Sequence, residues 1–200
     1  MQVKVAIQNG IEEAVYNVKK ALYATLGIEI KDKKLSVETI LRLALSQDSP
    51  IQQLRIESFA VVPERVHTHF VRHGLTQHYV LGCRPDRPND YALMLKNKNE
   101  RYMYSVIDFS TLMHIFRYRL CMKAWKDTRE FFQLYKEQLA EIFPELAVLL
   151  QAVCVWYGFC PMTKQGCTYI KNNTAEREEL LALVDFLTKA DQKSYFIKGQ

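Results

Sequence analysis

The order of patterns along this chain predicts an α/β (α+β) fold, and the length suits one domain over residues 1–200 or one domain with a small appendage. Short β-prone runs (Val3–Ile7, "QLRIESFAVV" and "TQHYVLGC") are interleaved with stretches whose apolar residues recur at helical spacing. A length of 200 residues with 48% hydrophobic and 24% charged residues is that of a globular chain able to bury a core. Neither an internal repeat nor a low-complexity tract interrupts the alternation.

Val3–Ile7 reads as a strand. Ile11, Val15, Val18 and Leu22 share one helical face, which predicts a helix over Ile11–Leu26 closed by Gly27. Ser36 before "VETILRLAL" is a helix cap, with Glu38 in the first turn. "SQDSP" breaks that helix, and the next strand follows. Pro63 suits the start of another helix, because its missing N–H is not needed there. "ERVHTHFVRH" continues this helix, and Gly74 can end it. The prolines of "RPDRPND" mark a loop, and "KNKNER" is a turn. Asp108 can cap one long helix with an apolar stripe from Leu112 through Phe116, Phe131 and Tyr135 to Ile142. Pro144 allows a new helix. Residues Gly158–Asn173 read as irregular, and "NTAE" is a capping box opening a last helix to about Ala190.

The formal charge is 27 − 22 = +5, with a pI near 8.9. That balance suits an anionic ligand, without separating a nucleotide from a polynucleotide. The N-terminus reads as a strand rather than a secretory signal, and no apolar run approaches the roughly 20 residues that span a bilayer. With five widely spaced cysteines, these features predict a reduced, cytoplasmic protein with no membrane partner.

Four of the five histidines crowd into Val66–Pro88 with three arginines. His69 and His73 lie four apart on one helical face. Such a pair suits zinc, but no HExxH glutamate or third ligand accompanies it, so a solvated or hydrogen-bonded pair is expected. Cys154, Cys160 and Cys167 lack the short C-x2-C knuckle of a structural zinc site and are expected to be free thiols, with no metal bound. The chain has no GxGxxG, P-loop or GxSxG. Anion-binding candidates are therefore Arg72, Arg84 and Arg119, whose planar guanidinium groups match phosphate or a pyrimidine edge. Each taken alone is more often a surface charge. Tyr79, Tyr91, Tyr102 and Tyr104 leave open a nucleic-acid platform, against which the modest charge and unpatterned spacing weigh.

The segment from Arg72 to Arg84 resembles the RHRxxSxNExSxR signature of the flavin-dependent thymidylate synthases, the ThyX type. Arg72, His73 and Arg84 match. Gly74 replaces the second Arg, and Gln77, Tyr79, Val80 and Gly82 stand at the Ser, Asn, Glu and second Ser positions. Upstream, "SPIQQLRIESF" is similar to the family's (S/T)PFEHxxFxF, keeping Ser49 and Pro50. "DFSTLMHIFRYRL" is similar to NxRSLxHFxxxRL, keeping Leu112, His114, Arg119 and Leu120, with Asp108 for Asn and Ser110 for Arg. "CVWYGFCPMTKQGC" resembles the cysteine-bearing tail of some members. The segment between Arg84 and Asp108 is much shorter than the family's.

The resemblance implies a mixed or antiparallel sheet packed with helices, assembled as a homotetramer with sites between subunits. It implies FAD held by Ser49, Arg72, His73, Gly74, Val80, Asp108, Ser110 and His114. A pyrimidine deoxynucleotide, dUMP first among them, would meet His69, Arg72, Gly82, Arg84 and Arg119, with Arg119 as the catalytic residue at the uracil edge. Methylenetetrahydrofolate would supply the carbon and NADPH would reduce the flavin. The losses at Gly74, Val80 and Gly82 also imply an alternative: an altered or silent homologue that still binds nucleotide. A nucleic-acid-binding protein is a further alternative.

Overall fold

The computed structural model describes residues 1–30, 35–72, 77–82, 99–161, 167, 169–172 and 174–194. Among the described residues, four strands form one sheet: β1 (Gln2–Ile7), β2 (Arg55–Pro63), β3 (Gln77–Gly82) and β4 (Glu100–Asp108). Their order is β1-β2-β4-β3, and every neighbouring pair is antiparallel. The helices are α1 (Ile11–Leu26), α2 (Val37–Ser46), α3 (Glu64–Val71), α4 (Phe109–Arg119), α5 (Lys126–Ala140), α6 (Pro144–Val148), α7 (Val153–Tyr157), α8 (Tyr169–Asn172) and α9 (Thr174–Ser194). A 3-10 turn, Ser49–Gln53, precedes β2. Helices and antiparallel sheet together make an α+β chain, and no described helix is long and apolar enough to cross a membrane.

Several local signals act as their chemistry requires. Gly27 ends α1 in the left-handed region at φ 66°, and its N–H bonds the carbonyls of Ala24 and Tyr23. The Ser36 hydroxyl caps α2 by accepting the Thr39 N–H at 3.2 Å. Asp108 caps α4, its carboxylate accepting the Thr111 N–H at 2.9 Å.

Three expectations are corrected. The single long helix from Asp108 is two helices, broken over residues 120–125. A straight helix over 109–140 would run about 48 Å, too long to keep its whole apolar stripe on one small core. The break folds α5 back, so Phe116 of α4 meets Phe132 and Tyr135 of α5 at ring distances of 5.0 and 5.7 Å. The Arg129 guanidinium pins the corner by donating to the carbonyls of Met122 and Ala124. Ile142, counted in the stripe, is exposed. Strand β4 also went unassigned in the sequence, because buried Ser105 occupies its core face and spoils the apolar alternation. The segment expected to be irregular contains the short helix α8. Gly74, the expected end of the third helix, lies outside the described residues.

The sheet has two unlike faces. Val5, Ile7, Ile56, Ala60, Val62, Met103 and Ile107 point into the core. Over that face an aromatic cluster joins three helices. The buried Phe70 ring of α3 lies 5.7, 5.3 and 6.4 Å from those of Phe131, Phe132 and Tyr135 on α5, and 5.0 Å from His78 on β3. On the other face the register aligns Lys4, Phe59, Tyr104 and Tyr79 in one row. Phe59 and Tyr79 there remain 40% and 63% exposed among the described residues, while Val106 on the same face is buried.

Phe70 is the ring shared by three elements, so its removal should be severe. Phe70→Ala is expected to lower unfolding stability by about 3–5 kcal/mol, and Phe70→Leu by clearly less. Urea unfolding with both midpoint and slope measured checks this; an Ala variant within about 1 kcal/mol of the parent would contradict the central place of the cluster.

Candidate functional site

Arg65, His69 and Arg72 follow one another at i, i+4 and i+7, so they share one face of α3 and its C-cap. That face looks onto the corner between α4 and α5. Arg65 ion-pairs with Asp127 in the first turn of α5, and its guanidinium lies 5.5 Å from the Trp125 ring centre. His69 Nδ1 shares a 2.9 Å hydrogen bond with the hydroxyl of buried Thr128. Its ring meets Trp125 edge-on at 5.8 Å and 83°.

Two further arginines' charges reach His69. Burial first, then the charges of Arg119 and Arg72, hold its imidazole below the ordinary histidine value. Burial and the charge of Arg72 likewise lower Arg119, the half-buried last residue of α4. Two guanidinium groups therefore stand close enough to feel each other, and both act on the His69 imidazole. Asp127, in the first turn of α5, serves Arg65. Such a cluster favours an anionic or electron-rich ligand edge over a cation.

A second group of the expected residues collects at the α4 end of the sheet. Arg55 and Asp108 are register partners, and the Phe109 N–H donates to the Leu54 carbonyl at 2.8 Å. Here Gln52, Gln53, Arg55, Gln77, Val106 and Asp108 line a cleft of about 230 Å³. Ser49 opens the adjoining 3-10 turn and is exposed. Ser110 is half-buried in the first turn of α4; His114 is exposed one turn on, its ring 5.1 Å from Tyr118. Val80 is exposed on β3 opposite Met103, and Gly82 ends β3 opposite Arg101. His73 and Arg84 lie outside the described residues, as do Gly74 and Tyr91.

The structure thus brings together His69, Arg72 and Arg119, and separately sets Asp108 beside the turn that carries Ser49. Arg65, Trp125 and Thr128 belong to the first cluster and were not anticipated. The i, i+4, i+7 spacing on α3 was the available signal for Arg65. Trp125 and Thr128 carry none, because the apolar stripe on either side of them has the spacing of one continuous helix.

Cys121, Cys154, Cys160 and Cys167 are free thiols. Burial, helped by the thiols of Cys167, Cys121 and Cys160, pushes Cys154 up to about 11, which keeps it protonated and unreactive at neutral pH. Among the described residues no group of three or more His, Cys, Asp or Glu is arranged to hold a metal ion.

No protein-family model matches the chain, and no curated protein matches it in sequence. Solved structures do match it in shape. A UMP/dUMP methylase, PolB of Streptomyces cacaoi, bound with 5-Br dUMP, superposes with a TM-score of 0.53 at 13% identity, over 74% of this chain and 94% of that one. The flavin-dependent thymidylate synthase ThyX of Helicobacter pylori, with FAD and dUMP, gives 0.51 at 8% identity, over 72% and 97%. A second structure of that enzyme with the same ligands gives 0.50 at 11%, over 68% and 93%. The fold is that of the flavin-dependent thymidylate synthases. At these identities the likeness is one of fold, and the ThyX-like sheet and helices agree with the α+β architecture described above.

His69 offers a test of the cluster that needs no ligand. Its folded value lies below about 6.5, so the neutral form is favoured by folding. The associated stability is full above the unfolded value and is lost as pH falls through the folded one. In Arg119→Ala the proton NMR titration midpoint of His69, assigned by a His69→Gln difference, is expected to move up toward the free-imidazole value. An unmoved midpoint would separate Arg119 from His69.

Proposed function

We propose that this chain is a ThyX-like enzyme that binds FAD and a pyrimidine deoxynucleotide, dUMP first among them, and places a one-carbon unit on C5 of the pyrimidine. The observation that carries this reading is the convergence of His69, Arg72 and Arg119 on a fold shared with dUMP-bound proteins. Methylenetetrahydrofolate would be the carbon donor and NADPH the reductant.

The residues present fit a flavin dinucleotide. Arg55 and the amides of Gln52, Gln53 and Gln77 offer N–H donors around the cleft at the start of α4, and Arg72 adds a cation at the end of α3. Bound there, reduced flavin supplies hydride, chemistry that belongs to the cofactor. The chain's own residues bind and orient. Arg119 presents a planar guanidinium to the N3–C4=O edge of the pyrimidine, where negative charge develops as C5 becomes nucleophilic. Its half-buried setting strengthens that interaction. Arg72 contributes charge toward flavin and nucleotide phosphate. His69, neutral at pH 7 and fixed through Nδ1 by Thr128, leaves Nε2 for the ligand.

A second reading keeps the binding and drops the chemistry. It is favoured by Gly74, Val80 and Gly82, which remove a cation, a carboxylate and a hydroxyl from the motif. The two readings share the binding site and part at turnover.

Binding is tested with FAD and dUMP directly. Arg72→Ala is expected to weaken FAD, followed by its visible absorbance, by tenfold or more, for a charge-assisted hydrogen bond of about 1.5–3 kcal/mol. Lys126→Ala, at a side chain 78% exposed, should leave FAD unaffected. Arg119→Lys keeps the charge and loses the planar fork, so dUMP affinity by calorimetry should fall about tenfold, or about 1.4 kcal/mol. Unchanged dUMP affinity with a lowered melting temperature would make Arg119 a structural residue. Parent protein that takes up neither FAD nor dUMP would overturn the proposal. Binding without one-carbon transfer would select the second reading.

A homotetramer accords with the aromatic strip exposed on the sheet among the described residues. Phe59, Tyr104 and Tyr79 form an apolar strip there, with ring centres 4.7 and 5.9 Å apart, suited to burial against another subunit. Glu57 accepts the Tyr104 hydroxyl on the same face, which places a carboxylate where a polynucleotide would need cations. Light scattering is expected to give about four times the 23.4 kDa chain mass. Phe59→Glu should shift the protein toward smaller species, and a parent that is monomeric at micromolar concentration would refute the assembly.

A further inference from the structure

Trp125 is a large apolar side chain left 56% exposed at the corner between α4 and α5. Tryptophan on a monomer's surface usually buries most of its ring. Here the ring is also held firmly. Arg65 lies over it at 5.5 Å, the edge of His69 meets it at 5.8 Å, and both residues are tied to the first turn of α5 through Asp127 and Thr128. The backbone beneath is pinned by Arg129, which bonds the carbonyls of Met122 and Ala124. The result is a Trp125 side chain with Arg65 over one face and His69 in edge contact, still 56% exposed as a residue, at the margin of the Arg72–Arg119 cluster. Cations and an aromatic face side by side complement a planar heteroaromatic ring that carries phosphate.

We propose that Trp125 is a specificity-determining residue of this site, stacking on the base of the bound nucleotide while the neighbouring cations hold its anionic groups. This inference rests on the nucleotide reading above and adds a residue and a role to it. Because His69 and Arg65 fix the ring beforehand, little side-chain freedom is lost on binding. Stacking needs only a π face, so the platform tolerates ribose or deoxyribose and selects for the presence of a base. The chain is thereby expected to accept UMP and dUMP alike through this contact, leaving discrimination between them to groups that touch the sugar.

The test uses the full chain and three probes: UMP, dUMP and ribose 5-phosphate, which keeps the phosphate and lacks the base. By calorimetry, Trp125→Ala is expected to weaken UMP and dUMP about tenfold, an order-of-magnitude value for one lost base stack, and to leave ribose 5-phosphate unchanged. Trp125→Phe should stay within about threefold of the parent for all three. Trp125→Leu keeps apolar bulk without a π face, so it should behave as the alanine variant, and it replaces that variant if Ala impairs folding. In a Trp156→Phe background, where Trp125 is the remaining tryptophan, nucleotide should quench emission and ribose 5-phosphate should not. Unchanged nucleotide affinity in both Trp125→Ala and Trp125→Leu overturns the platform and leaves the nucleotide reading intact. Equal loss for nucleotides and ribose 5-phosphate also overturns it, since the residue would then only be shaping the cation cluster. Parent protein that binds neither nucleotide overturns both the platform and the reading beneath it.

Discussion

Phe70 is the contact on which the arrangement of this molecule turns. A single buried ring on α3 touches Phe131, Phe132 and Tyr135 on α5 and His78 on β3. Phe116 brings α4 into the same cluster through Phe132 and Tyr135. Edge-to-face rings at these separations have definite preferred geometries, so the cluster fixes the rotation of α3 about its axis as well as its position. With Phe70 facing inward, Arg65, His69 and Arg72 are carried around to the α4–α5 corner. Loosening this apolar contact would disperse the polar site, although none of its charged members belongs to the core.

Burial first, and the neighbouring guanidinium charges after it, lower both Arg119 and His69, so holding Arg72 and Arg119 within each other's field is unfavourable by itself. Local structure offsets part of the repulsion. Both arginines stand at helix C-termini, Arg72 at the cap of α3 and Arg119 in the last turn of α4, where the backbone dipoles favour positive charge. His69 relieves more of it by remaining neutral, with Thr128 engaging Nδ1. A site organised in this way gains most from an anion, because a bound negative group removes a repulsion as well as forming new hydrogen bonds.

The sheet divides two tasks between its faces. One face carries the helices and, through them, the cations and Trp125. The other presents Phe59, Tyr104 and Tyr79 outward in a row set by the strand register. The cleft beside Asp108 lies at the strand end, where the 3-10 turn bearing Ser49 meets the start of α4. Since α4 begins at that cleft and ends at Arg119, a single helix of 11 residues connects the two groups of expected ligand residues.

Much of the local structure was legible in the sequence because its causes are local. Ser36 and Asp108 cap helices through their own side chains, Gly27 can adopt a left-handed backbone, and β1, β2 and α1 follow from the spacing of their apolar residues. His69, Arg72 and Arg119 could be named as candidates from residue type and motif resemblance. What the sequence alone did not determine depended on contacts distant along the chain. Strand β4 hides behind Ser105, a polar core residue whose hydroxyl is satisfied by His78 of the neighbouring strand. The turn over 120–125 contains neither Pro nor Gly, and only the packing of Phe116 against α5 requires it. That same turn places Trp125, Asp127 and Thr128 against α3. The sequence by itself therefore determined α1, α2, α3 and the start of α4, and which cations they would carry. The tertiary structure decided that those cations meet, and that they meet beside an exposed aromatic ring, because only the folding of α5 back onto α3 brings residues some 60 positions apart into contact.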